Sequence, residues 1–254
     1  MAEPRPATLI TGASAGLGAE FARQCAARGE ELILVARRHD RLVALKDALP
    51  TKAHVFPADL SAPGAAAELL TLVRASGLSV DVLINNAGFG AAGGFAELPI
   101  ERQLEMVDLN IRSLTELCRL VLPQMRERRS GAILNVASTA AFQAGPNMAV
   151  YYASKAYVLS LTEALHQELK GSGIRVTALC PGPTATEFFD VAGAGGGRLA
   201  RMATDPVAVV RAGLDGLARN KAIVVPGVAN KIGSQASRLL PRAVMRRVVA
   251  RIKA

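Results

Sequence analysis

The sequence predicts an α/β fold, a doubly wound, seven-stranded parallel sheet with helices on both faces. Strand-like and helix-like stretches alternate along the 254 residues. The strands are runs of Val, Ile and Leu, as expected where helices cover both faces of a parallel sheet. The first strand also runs directly into a glycine-rich turn and a helix start, Thr11-Gly12-Ala13-Ser14-Ala15-Gly16-Leu17-Gly18.

Apolar strands are expected at 7–10, 31–36, 54–57, 80–84, 132–136, 174–179 and 222–225. Helical periodicity predicts helices at 16–28, 40–49, 63–75, 100–128, 151–170 and 206–219. No linker, repeat or composition break divides them, so a single domain over residues 1–254 is expected. In the first turn Gly12 permits the reversal, Gly16 lets the backbone approach a bound group, and Gly18 lets the helix pack against the strand. With Ser14, Ala15 and Leu17 they leave free N–H groups at a helix start, where a diphosphate binds, as in a Rossmann-type fold.

Composition narrows the function further. Half the residues are hydrophobic, which excludes a disordered chain. Cys25, Cys118 and Cys180 are isolated in apolar contexts, so buried thiols are expected rather than disulfides. His39, His54 and His166 are far apart, and no Cys/His cluster has metal-ligand spacing, so no metal is expected. No apolar run is long enough for a membrane span and the start has no signal-peptide core, so a cytoplasmic location is expected. The formal charge is +9, with seven bases and no acid in the last 26 residues. The basicity therefore belongs to a C-terminal segment, and no nucleic-acid partner is expected.

Two strand ends carry chemistry. Strand 80–84 leads into Asn85-Asn86-Ala87-Gly88, where Asn side chains can tie strand ends together and small residues leave room for a flat cofactor. Strand 132–136 leads to Ser138, followed by Tyr151 and, four residues on, Lys155. One helical turn places Tyr151 and Lys155 on the same face. An ammonium beside a phenol favours phenolate, so Lys155 is expected to lower the Tyr151 pKa toward the working range of an acid/base catalyst. A serine hydroxyl nearby would hold the substrate oxygen. This is equipment for interconverting a carbonyl and an alcohol.

Together these motifs resemble the compact, one-domain branch of the short-chain dehydrogenase/reductase family. The matching residues are Thr11–Gly18, Asp59-Leu60, Asn85–Gly88, Asn110, Ser138, Tyr151-x-x-x-Lys155 and Pro181-Gly182 with Thr186. The resemblance implies that Tyr151 is the general acid in reduction and that Lys155 tunes it and binds the nicotinamide ribose. It implies that Ser138 orients the carbonyl and that Asn110 holds a relay water. Asp59 and Leu60 would lie at the adenine, Asn86, Ala87 and Gly88 at the ribose, and Pro181, Gly182 and Thr186 at the nicotinamide. It also implies a homodimer or homotetramer built on helices near 111–122 and 151–170. Tyr152 lies only three residues from Lys155 and is assigned to packing.

The second strand ends Ala36-Arg37-Arg38, without the acid that binds a ribose 2′-hydroxyl in NAD-preferring folds. Guanidinium groups grip a 2′-phosphate, so NADP(H) is expected over NAD(H), with Arg37 the main contact and Arg38 the second. Asp40 either caps the next helix or binds ribose.

The expected substrate is a small hydrophobic ketone or aldehyde, because Ala140, Phe142, Ala144, Met148, Phe188 and Phe189 are small or apolar. Phe188, Ser138 and Tyr151 are the expected substrate contacts. A 3-oxoacyl thioester is the alternative within the enzyme class, and a non-catalytic dinucleotide sensor is the alternative outside it. The glycine-rich stretch in 187–203 reads as a substrate lid or an inert loop. In the basic segment 230–254, residues 237–254 read as an amphipathic helix. It lies on an anionic membrane surface, or it packs on its own domain or a partner subunit.

Overall fold

The computed structural model describes residues 4–188, 192–193, 203–239 and 241–253, with the backbone alone at 237–239, 247–248 and 250–253. Seven parallel strands form one sheet: β1 (Arg5–Thr11), β2 (Leu32–Ala36), β3 (Ala53–Pro57), β4 (Leu78–Asn85), β5 (Gly131–Val136), β6 (Ile174–Leu179) and β7 (Ile223–Val224). Their spatial order is β3-β2-β1-β4-β5-β6-β7. The order reverses between β1 and β4, which opens a crevice beyond their carboxyl ends.

Both faces of the sheet are covered. Leu9, Ile33, Leu83, Ile133 and Val176 pack against α3 (Ala65–Ala75), α5 (Leu114–Arg128) and α6 (Ala149–Glu168). Their neighbours Ile10, Leu32, Leu34, Ile84 and Leu134 pack against α1 (Gly16–Ala27), α2 (His39–Asp47) and α7 (Pro206–Ala218). Successive residues of a strand point to opposite faces, so a strand buried on both sides needs an apolar residue at every position. This is the origin of the unbroken Val/Ile/Leu runs.

Two expected elements differ. The stretch 100–128 is not one α-helix: α4 (Ile100–Val107) and α5 flank a wider π-helical segment, Asp108–Ser113. The i→i+5 pattern is a local insertion that sequence periodicity does not reveal, and such insertions cluster at functional sites. Asp40 does not cap α2. The N-cap is Arg38, with no side-chain cap bond, and Asp40 lies in the first turn, where a negative charge faces the helix dipole favourably.

The C-terminal segment forms α8 (Val228–Leu239) and α9 (Arg242–Lys253). Val249 of α9 is buried, so the tail folds back onto the domain, while Val228 and Ile232 of α8 and Val244 of α9 are exposed. Within the described residues no helix is long and apolar enough to cross a membrane. The expected lid 187–203 lies largely outside the described residues, as does Phe189.

Candidate functional site

A cavity of about 1010 Å³ lies beyond the carboxyl ends of β1, β4, β5 and β6. The expected cofactor and catalytic residues line it except Gly18 and Asn110, which stand directly behind its wall.

The glycine-rich turn forms one end. Gly12 and Gly16 both take positive φ, at 66° and 53°, a region that costs glycine nothing. A Cβ on Gly18 would fall on the Gly12 carbonyl oxygen, so only glycine lets α1 approach β1 this closely. The first residues of α1 follow Ala15, which offers no side-chain cap, and their N–H groups are left for an anion.

Two asparagines then fix the strand ends. Asn86 Nδ2 donates to the carbonyls of Thr11 (2.9 Å) and Gly12 (3.3 Å), and Thr11 Oγ1 accepts from the Asn86 and Ala87 amides. Asn85 Nδ2 donates to Asn135 Oδ1 at 2.9 Å, and Asn135 donates in turn to Thr162 Oγ1 on α6. The first pair locks β4 to β1 and the second locks β4 to β5 and α6.

Asn110 sits in the π-helical segment. Its Oδ1 accepts from the Phe89 amide at 3.2 Å; its Nδ2 donates to the Phe89 carbonyl and to Ser154 Oγ, both at 3.0 Å. It thereby clamps the chain after β4 to α6. A Cβ on Gly88 would lie 2.8 Å from Asn110 Oδ1, which is why glycine stands there.

Tyr151 and Lys155 are both buried on α6, and Ser138 lies close enough to influence the Tyr151 hydroxyl. Lys155 Nζ donates to the Val136 carbonyl at 2.8 Å and lies 5.9 Å from the Tyr151 ring centre. Burial pushes the Tyr151 phenol up to about 12, against the lowering effect of Ser138. Burial also pushes the Lys155 ammonium down to about 8. The expectation that Lys155 depresses the Tyr151 pKa is thus corrected. In the protein matrix the desolvation of the phenolate dominates, and the ammonium is committed to a backbone carbonyl.

Tyr152 packs beside Tyr151 in an edge arrangement, centroids 6.0 Å apart, and covers Gly145, where a Cβ would strike its ring. Phe188 lies 5.3 Å from Tyr151 and, with Phe89, Ala140, Met148 and Val249, gives the cavity an apolar wall. Phe142 packs against the core instead and Ala144 is exposed, so neither belongs to this wall.

At the far end Asp59 is held by Ser61, whose amide and hydroxyl both donate to its Oδ1. Arg37 pairs with Glu105 of α4 at 3.2 Å. Arg38 donates to Ser14 Oγ at 3.2 Å and pairs with Glu187, which also pairs with Arg41. Arg41, Glu187, Ser154 and Val249 were missed by the sequence reading. Arg41 alone had a signal, its i, i+3 spacing from Arg38 on one helix edge. The others are brought in from distant parts of the chain.

Known proteins share this architecture. A family model described as short chain dehydrogenase matches residues 6–194. Over 187 residues the chain is 38% identical to the NADP-dependent 3-hydroxy acid dehydrogenase YdfG of Salmonella typhi, covering 72% of this chain and 75% of the relative. A short-chain dehydrogenase from Sphingobium yanoikuyae in complex with NADPH superposes with a TM-score of 0.81 at 34% identity, over 92% of this chain and 94% of that one. The bulky-bulky ketone specific alcohol dehydrogenase from Comamonas testosteroni superposes with a TM-score of 0.75 at 30% identity, over 93% of both chains. The chain belongs to the short-chain dehydrogenase family, and it is an oxidoreductase acting between alcohol and carbonyl groups.

Proposed function

We propose that this oxidoreductase uses NADPH in preference to NADH to reduce an apolar ketone or aldehyde, with Tyr151 giving the proton. The observation that carries this reading is Ser138, Tyr151 and Lys155 brought together at one cavity with an apolar wall.

The glycine-rich turn and the start of α1 would hold the diphosphate, Asp59 and Leu60 the adenine end, and Pro181, Gly182 and Thr186 the nicotinamide end. The bound dinucleotide supplies the hydride. The hydroxyls of Ser138 and Tyr151 hold the substrate oxygen and stabilise the charge that develops on it. With its phenol pushed up to about 12, Tyr151 is protonated at neutral pH, which suits a proton donor. Lys155 is charged below about pH 8 and can resupply that proton. Asn110 fixes α6 through Ser154, and its Oδ1 keeps a second lone pair for a relay.

A 3-oxoacyl thioester is a second reading. Gln143 and Asn147 place polar groups among the residues lining the cavity, and one relative is named for 3-hydroxy acids. A non-catalytic sensor would have no use for a Ser–Tyr–Lys set with its tyrosine and lysine buried. The three free cysteines are all buried, which agrees with a reducing, cytoplasmic setting. Leu120 and Tyr157 expose apolar surface on α5 and α6, where a second copy would pack. The exposed Val244 beside Arg242 and Arg246 would serve a weak contact with an anionic membrane surface.

The first test is calorimetric titration with NADPH and NADH, followed by NADPH consumption over a panel of apolar ketones, aldehydes and 3-oxoacyl thioesters. Preferential NADPH binding and turnover of the ketones support the reading. Tighter NADH binding, or no turnover of any ketone or aldehyde, removes it.

A further inference from the structure

We propose that Glu187 is an internal anion that competes with the 2′-phosphate of the cofactor for Arg38 and Arg41, and so sets how strongly this chain discriminates NADPH from NADH. The inference rests on the reading that the cavity takes a phosphorylated dinucleotide.

The two arginines on this edge of α2 are Arg38 and Arg41. Arg37, which the sequence favours, instead pairs with Glu105. The Glu187 carboxylate spans the pair, with Oε2 at 3.1 Å from Arg38 Nη1 and Oε1 at 2.6 Å from Arg41 Nη1. Two guanidinium groups arranged around two oxygens of one anion are also a phosphate site. The arginines hold the Glu187 carboxyl below the usual carboxylate range, so it carries its full charge at neutral pH. Arg38 also touches Ser14 of the glycine-rich turn. The carboxylate therefore stands at the cofactor end of the cavity, and Glu187 lines that cavity itself.

Its neighbours present it there. The Thr186 side chain lies over Gly16, 3.1 Å from where a Cβ would be, and Phe188 packs on Tyr151. Three consecutive residues thus touch the glycine turn, the arginines and the catalytic tyrosine. All three charged side chains are 44–50% exposed, so the ion pairs are weak enough for a bound phosphate to displace.

The experiment is calorimetric titration of wild type, Glu187→Gln, Arg38→Gln and Arg41→Gln with 2′,5′-ADP and with 5′-AMP, which differ only in the 2′-phosphate. Glu187→Gln should tighten 2′,5′-ADP by about three- to tenfold, the scale of one or two half-exposed ion pairs. It should leave 5′-AMP almost unchanged, and the two arginine variants should weaken 2′,5′-ADP. If Glu187→Gln shifts both ligands equally, or neither, while the arginine variants still lose 2′,5′-ADP, competition by Glu187 is refuted and the phosphate site stands. If wild type and the arginine variants bind both ligands alike, the phosphate site itself is refuted, and the proposal with it.

Discussion

Lys155 and Val136 are joined at the floor of the cavity: Lys155 is only 6% exposed, and its ammonium donates to the carbonyl at 2.8 Å. One hydrogen bond does not offset the burial of a charge, and the Lys155 pKa falls from 10.5 to about 8. Between these values the unfolded chain keeps a proton that the folded chain has released, so this group makes stability rise with pH. Tyr151, raised from 10 to about 12, acts oppositely between those two values, where stability falls as pH rises.

Lys155→Met should therefore abolish turnover while stabilising the fold at pH 7 by about 1–3 kcal/mol, because it removes a buried charge. Thermal denaturation at pH 7 and pH 9.5 measures this, with the gain over wild type shrinking at the higher pH. A lower Tm than wild type at pH 7 would show that the bond to Val136 outweighs desolvation.

Tyr151→Phe should reduce kcat by roughly 10²- to 10⁴-fold, the usual contribution of a positioned acid. Cofactor binding should be unchanged. Tyr152→Phe should retain most activity, since its ring packs over Gly145. The reverse pattern in steady-state kinetics would exchange the two assignments.

Asn110→Ala removes three hydrogen bonds at a buried position and leaves the Phe89 amide and carbonyl and Ser154 Oγ without that partner. Buried groups left unpaired cost about 1–3 kcal/mol each, and partial relaxation should hold the total near the upper end of one such loss. Denaturant unfolding should show this loss together with reduced kcat. A variant of wild-type stability would mean that the π-helical segment holds its shape without the side chain.

Val249→Arg should raise KM for apolar ketones by about tenfold, with a smaller effect on kcat, because Val249 of α9 closes the apolar wall. An unchanged KM would show that α9 takes no part in substrate binding.

The periodic part of this protein was legible in its sequence. Short apolar runs such as Leu32–Ala36, alternating with longer helical stretches, read as strands buried on both faces, and helices between successive parallel strands follow from that. The chemistry at short range was legible too: Gly12, Gly16 and Gly18 report a backbone requirement, and Tyr151 and Lys155 share a helix face by spacing alone. The break at Asp108–Ser113 was not, because a π-helical insertion leaves the spacing of apolar residues close to that of an α-helix.

The sequence by itself determined the fold, the conformation of the glycine-rich turn and the shared helix face of Tyr151 and Lys155, since these depend on local backbone geometry and fixed spacing. The tertiary structure alone decided the rest. It set the pKa values of Tyr151 and Lys155, because burial is a property of everything packed around a group. It joined Glu187 to Arg41, 146 residues away in the chain, and Val249 to the cavity wall, because contacts between distant segments arise only when the sheet brings its strand ends together.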